Sequence, residues 1–237
     1  MRRRAVSIVG AGSLRCAPVV FASLAALRLE HPLEVRLYDA NEERLDLMDR
    51  LARHMFGQTM SRHDVLYRPA LEEAMELSEA VVVCLTEDCA RRMTGKTAAR
   101  FLIPTEEGEV TKVSELSRGD FNRPTPITEI SPRTLAALST PQDYESSREE
   151  ALAQAMQSVI DLAGDAQVLN LTRNCPIPRG RDHTYLAWPE PLTAEQHASL
   201  PHRILRWLGG DHDVNDFIEA HAQSPVAKWF VKDFGAL

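Results

Sequence analysis

A short apolar run closed by glycines constrains this chain more than any other feature. Ala5-Val6-Ser7-Ile8-Val9 is followed by Gly10-Ala11-Gly12-Ser13, and such a run ending at a glycine suits a strand buried on both faces of a parallel sheet. Gly10 supplies backbone angles that other residues resist, and Gly12 removes a side chain where a pyrophosphate would approach. The spacing predicts a helix from about Ser13 to Leu29, with its first N–H groups and positive dipole end facing that phosphate. Val35-Arg36-Leu37-Tyr38 then reads as a second strand, with Asp39 at its carboxyl end. Asp39 stands 27 positions after Gly12, somewhat beyond the usual ~20 to the ribose-binding acid. A carboxylate there accepts hydrogen bonds from both ribose hydroxyls and repels a 2′-phosphate, which favours NAD over NADP. The third glycine of G-x-G-x-x-G falls at Arg15, so the helix must cross the sheet more widely or be shifted. A dinucleotide fold that has lost its nucleotide is the other reading of the same residues.

The alternation continues beyond this unit. Asn41 is placed to cap a helix whose first turn carries Glu42 and Glu43, and apolar residues recur at helical spacing through Phe56. Asp64 to Arg68 is a strand candidate, Leu71 to Leu77 a short helix, and Glu79 to Leu85 the most convincing strand. Strands alternating with helices at these spacings imply parallel order and right-handed crossovers. Thr86, Glu87 and Asp88 then lie at the strand's carboxyl end, beside the crevice where a nucleotide would bind. From Arg91 to Thr140 the pattern dissolves among prolines, with Phe101 to Ile103 as a short extended piece; such a segment is a surface excursion, a lid or a partner-binding loop. Ser146 or Ser147 can cap a helix over Arg148–Leu162, ended by Gly164. Gln167 to Thr172 is the next buried strand. The tail holds helical pieces at Thr193–Leu200, Arg203–Leu208 and Val214–His221, anchored by Trp207, Phe217, Trp229 and Phe230.

These elements describe an α/β fold: a doubly wound, mostly parallel, Rossmann-like sheet over residues 1–185, with a short helical C-terminal extension over 186–237. A net charge of −7 argues against nucleic acid or an anionic membrane surface as partner. No apolar run is long enough for a secretory leader or a membrane span. The four cysteines, Cys16, Cys84, Cys89 and Cys175, form no C-x-x-C pair, which suits free thiols in a reducing cytoplasm.

Three stretches carry a family resemblance. Val6 to Ser13 ends in G-A-G-S; Val35 to Asp39 followed by Asn41 to Leu45 is similar to L-Y-D-x-x-x-E-R-L; and Val168 to Thr172 with Asn174 and Pro176 is similar to a strand closed by N-x-T-N-P. Together they resemble glycoside hydrolase family 4, the NAD-dependent glycosidases related to lactate and malate dehydrogenases. The likeness covers about the first 90 residues and this later patch, where the run here is T-R-N-C-P. The resemblance implies NAD as cofactor, held by Gly10, Ala11, Gly12, Ser13, Asp39, Thr86 and Asn170, with Asn174 near the nicotinamide. It also implies oxidation of a sugar at C3, loss of the C2 proton and expulsion of the aglycone, with a divalent metal polarising the C3 oxygen. The family's cysteine and histidine metal motif finds no match, and its large substrate domain has no counterpart beyond the tail. Cys175 with His183 gives too few ligands, Asp211-His212-Asp213 reads as a turn and helix cap, and Glu87 and Asp88 are acid/base candidates. The reading is an NAD-binding protein that acts on a small carbohydrate through transient hydride transfer. The alternative is an inactive dinucleotide-fold protein serving as sensor or interaction module, and a homo-oligomer is compatible with either.

Overall fold

The computed structural model describes residues 4–29, 31–95, 102–104, 110–112, 141–172, 184–185, 202–210 and 214–234. Its main sheet is built from β1 (Arg4–Val9), β2 (Leu33–Tyr38), β3 (Asp64–Tyr67), β4 (Ala80–Val83), β7 (Gln167–Asn170) and β8 (Thr184–Tyr185). The spatial order is β3-β2-β1-β4-β7-β8, and every pairing is parallel. This is the doubly wound order, with β1 at the centre and successive strands added outward on either side. β5 (Leu102–Pro104) and β6 (Val110–Lys112) form a separate antiparallel pair.

Residue alternation divides the core into two layers. Val6, Ile8, Val35, Leu37, Ala80, Val82 and Leu169 face one side, where α1 (Ala17–Ala26) and α2 (Glu42–Gln58) pack. Val9, Val81, Val83 and Val168 face the other, against α3 (Leu71–Met75), α4 (Glu87–Met93) and α5 (Pro141–Ala163). Burial on both faces is why these strands read as near-continuous apolar runs. The tail contributes α6 (202–208), α7 (Asn215–His221) and α8 (Pro225–Phe234). Trp207, Trp229 and Phe230 are buried in the α1 layer and Phe217 packs against it, so the aromatic anchors act as the sequence suggested.

Several boundaries move. α1 begins at Ala17 rather than Ser13, because residues 11–16 form turns and Pro18 sits in the helix's first turn. Arg15 therefore lies before the helix, and the missing third glycine is accommodated by a shifted helix start. α4 occupies Glu87–Met93, where the sequence suggested a strand end and the start of a loop. α5 starts at Pro141, placing Ser146 and Ser147 inside the helix rather than at its cap; proline suits a first helical position because no N–H is needed there. The expected helix at Thr193–Leu200 lies outside the described residues.

Candidate functional site

The carboxyl ends of β1, β2, β4 and β7 converge on the glycine turn. Gly10 has φ +81, and a Cβ there would lie 2.6 Å from the backbone carbonyl of Cys84. Only glycine lets β1 turn this closely against the end of β4. Gly12 answers a different constraint: its added Cβ would meet the Asp39 carboxyl at 2.8 Å and Arg44 Cβ at 2.9 Å. It makes room for neighbouring side chains of the same fold, where the sequence reading had it make room for a pyrophosphate.

The turn's donors are engaged internally. The N–H groups of Gly10 and Ala11 both donate to Tyr38 O at 2.9 Å, and Ser13 N–H donates to Gly10 O at 3.0 Å. Gly12 N–H donates to Asp39 Oδ2 at 2.9 Å, and Ser13 Oγ accepts from Cys16 N–H at 3.2 Å. Asp39 also accepts Asn41 N–H on Oδ1 at 2.8 Å. The Asp39 side chain is buried, and that burial pushes its carboxyl above the usual range, against the lowering effect of the two N–H donors and of Arg44. A desolvated carboxylate with unfilled lone pairs is a strong acceptor for hydroxyls.

Across the crevice, Thr86 caps α4 by accepting Cys89 N–H at 3.1 Å. Asn170 Oδ1 accepts Thr172 N–H at 2.8 Å. Its Nδ2, in a residue only 2% exposed, has no hydrogen-bond partner among the described residues. Thr172 stitches β4 to β7, with its Oγ1 accepting Leu85 N–H at 3.0 Å.

Glu87 and Asp88 hold the helices rather than stand ready for proton transfer. Glu87 bridges Arg91 of α4 at 3.1 Å and Arg148 of α5 at 3.4 Å. Asp88 accepts Asn41 Nδ2 at 2.8 Å and pairs with Arg92 at 3.2 Å. Burial pushes the Asp88 carboxyl up, but Asn41 and Arg92 outweigh it and hold the group below its ordinary value. Beneath the turn, the Cys16 thiol donates to Leu171 O at 3.7 Å; interaction between the Cys16 and Cys84 thiols lowers Cys16 and, with burial, raises Cys84.

Asn174, Cys175, His183 and Asp211-His212-Asp213 lie outside the described residues. Among the described residues no three His, Cys, Asp or Glu side chains are grouped to hold a metal ion. An open hollow of about 590 Å³ lies at the opposite end of the sheet, lined by Arg4, Ser78, Glu79, Asp165 and Gln167 among others. It sits at the amino ends of the strands, whereas open parallel sheets bind ligands at the carboxyl ends. Arg44 and Thr172 stand at the crevice too, although the sequence offers them only as members of its motif stretches and not as site residues. Arg44 stands in the first turn of α2, where an acid is the expected residue, and that mismatch was the available signal.

No protein-family model matches the chain, and no curated protein matches it. Among solved structures it is similar to a 6-phospho-α-glucosidase from gut microorganisms in complex with NAD and glucose-6-phosphate, at 14% identity and TM-score 0.46, covering 73% of this chain and 35% of that one. It is also similar to the 6-phospho-β-glucosidase of Thermotoga maritima with manganese, NAD⁺ and glucose-6-phosphate, at 16% identity and TM-score 0.41, covering 73% and 34%. The lactate dehydrogenase of Cryptosporidium parvum, complexed with lactic acid and its dinucleotide, follows at 13% identity and TM-score 0.39, covering 73% and 38%. The chain thus spans little more than a third of the length of these structures.

Proposed function

We propose that this chain binds NAD across the carboxyl ends of β2, β1, β4 and β7. The observation that carries the reading is where the glycine turn sits. It lies at the point where strand order reverses, so that α1 leaves toward one face of the sheet and α4 toward the other, opening the crevice in which such folds take dinucleotides. Asp39 would receive the adenosine ribose, its buried carboxylate accepting the hydroxyls. Asn170 would serve the nicotinamide half, since its orphaned buried Nδ2 needs an acceptor such as a carboxamide or ribose oxygen. Gly10, Ala11, Gly12 and Ser13 form the floor, Thr86 fixes the start of α4, and the family resemblance assigns Asn174 to the nicotinamide side. NAD bound there supplies a hydride acceptor. Resemblance to the family 4 motifs supports a small carbohydrate as the donor. A second reading, a nucleotide sensor without catalysis, is favoured by the ion pairs that occupy Glu87 and Asp88.

A thermal-shift titration with NAD⁺, NADH, NADP⁺ and AMP tests the proposal. At 100 times its dissociation constant a ligand stabilises the fold by about 2.7 kcal/mol, or roughly 5–10 °C here. NAD⁺ or NADH should give that rise, and Asp39→Asn should reduce it relative to the variant's own baseline. No rise with any nucleotide refutes NAD binding.

A further inference from the structure

We infer that Arg44 holds the diphosphate of the bound dinucleotide, an assignment that rests on the nucleotide reading above. The usual diphosphate site is a set of free N–H groups at the glycine turn and the helix that follows. Here those groups are accounted for almost one by one. Gly10, Ala11 and Ser13 donate to backbone carbonyls, Gly12 to Asp39 and Cys16 to Ser13 Oγ. In α1, Ala17 N–H donates to Ser13 O at 3.0 Å and Val20 N–H to Cys16 O at 3.2 Å, while Pro18 has no N–H. Of these backbone donors, Leu14 and Val19 N–H are left for an incoming diphosphate, and Asp39 and Asp88 make the surroundings negative. It requires a cation from a side chain.

Arg44 is placed to supply it. Its Cβ packs directly beside Gly12, 2.9 Å from where a Cβ on that glycine would lie. The side chain thus starts at the turn that a diphosphate must cross. Its charge acts on both Asp39 and Asp88, so the guanidinium stands near both carboxylates. Among the described residues no carboxylate lies within 4.0 Å of that guanidinium. The residue is half-buried, in the first turn of α2, where a cation opposes the helix dipole. Asp39 and Asp88 are the carboxylates its charge favours, but among the described residues neither forms an ion pair with it, so the fork of N–H donors is left for a ligand. A guanidinium fork matches phosphate oxygens two at a time, which offsets that cost once a ligand is present.

Isothermal calorimetry of the full chain and of Arg44→Gln and Arg44→Lys, with NAD⁺, ADP-ribose, adenosine and NADP⁺, decides the matter. Arg44→Gln should weaken NAD⁺ and ADP-ribose about ten- to a hundredfold and leave adenosine unchanged. Arg44→Lys should recover part of the loss, and the salt dependence of NAD⁺ binding should flatten in Arg44→Gln. Equal NAD⁺ affinity in wild type and Arg44→Gln overturns the assignment while nucleotide binding stands. Equal weakening of adenosine and NAD⁺ overturns it in favour of a contact to the nucleoside. Loss confined to NADP⁺ overturns it in favour of the 2′-phosphate. A wild-type chain that binds none of the four refutes nucleotide binding itself, and this role with it.

Discussion

Gly10 and Gly12 stand two positions apart, yet replacing them tests different physics. Gly10→Ala meets both a positive φ and the Cys84 carbonyl at 2.6 Å, neither of which can yield without moving β4. We expect it to cost about 2–4 kcal/mol in urea unfolding. Gly12→Ala would push aside the Asp39 carboxyl, so its larger effect should be on ligand binding. Removing that carboxyl is not a clean test of binding, because Asp39→Ala orphans Gly12 N–H and Asn41 N–H at roughly 1–3 kcal/mol each. His63 gives the residue-scale pH prediction. Its Nδ1 accepts Leu33 N–H at 3.0 Å, and burial, with the charge of Arg28, holds the imidazole below its ordinary value of 6.5. The fold favours the neutral ring, so its contribution is complete above about pH 6.5 and is lost as pH falls through the lowered folded value. The wild-type urea midpoint should drop from pH 7 toward pH 5, and His63→Gln should flatten that slope. Burial lowers His221 in the same direction, so a residual slope should persist in the variant.

Among the elements, α4 is short and its cap matters. Thr86→Ala removes the acceptor for Cys89 N–H and should cost about 1 kcal/mol, lowering Tm by roughly 2–4 °C. The same helix shows what the sequence concealed and why. Thr86, acids at Glu87 and Asp88, and Arg91 and Arg92 in the last turn form a complete cap-and-dipole pattern. Seven residues are too few for apolar periodicity to show, so the segment passed for the end of a strand. The central strands were legible because burial on two faces demands uninterrupted apolar residues, as in Ala80–Val83. Ser13 has the chemistry of a helix cap and its hydroxyl accepts Cys16 N–H as a cap would, but residues 14–16 form turns and the regular helix α1 starts only at Ala17. The turn, Asp39 and Asn170 could be read from motif and position. The consumption of the turn's N–H groups could not, since it depends on Tyr38 O and Asp39 arriving from another strand.

For the molecule as a whole, the tail and the first helix are one packing unit. Every residue of α1 from Ala17 to Ala25 is buried, so the helix has no solvent face and must be covered on all sides. The sheet and α2 cover part of it, and α7 and α8 cover the rest. Ser23 Oγ and Ser224 Oγ share a hydrogen bond at 2.7 Å across that contact. A chain ending at residue 210 should therefore expose the α1 face, bind a hydrophobic dye and aggregate, whereas the full chain stays monodisperse in size-exclusion chromatography. Synthesis poses the same problem in time. α1 emerges roughly 190 residues before its cover, an interval of about 10–40 s at ordinary elongation rates. Throughout that interval the nascent chain presents an apolar helix beside an incomplete sheet, which makes the α1 segment a client for a holding chaperone until α7 and α8 emerge.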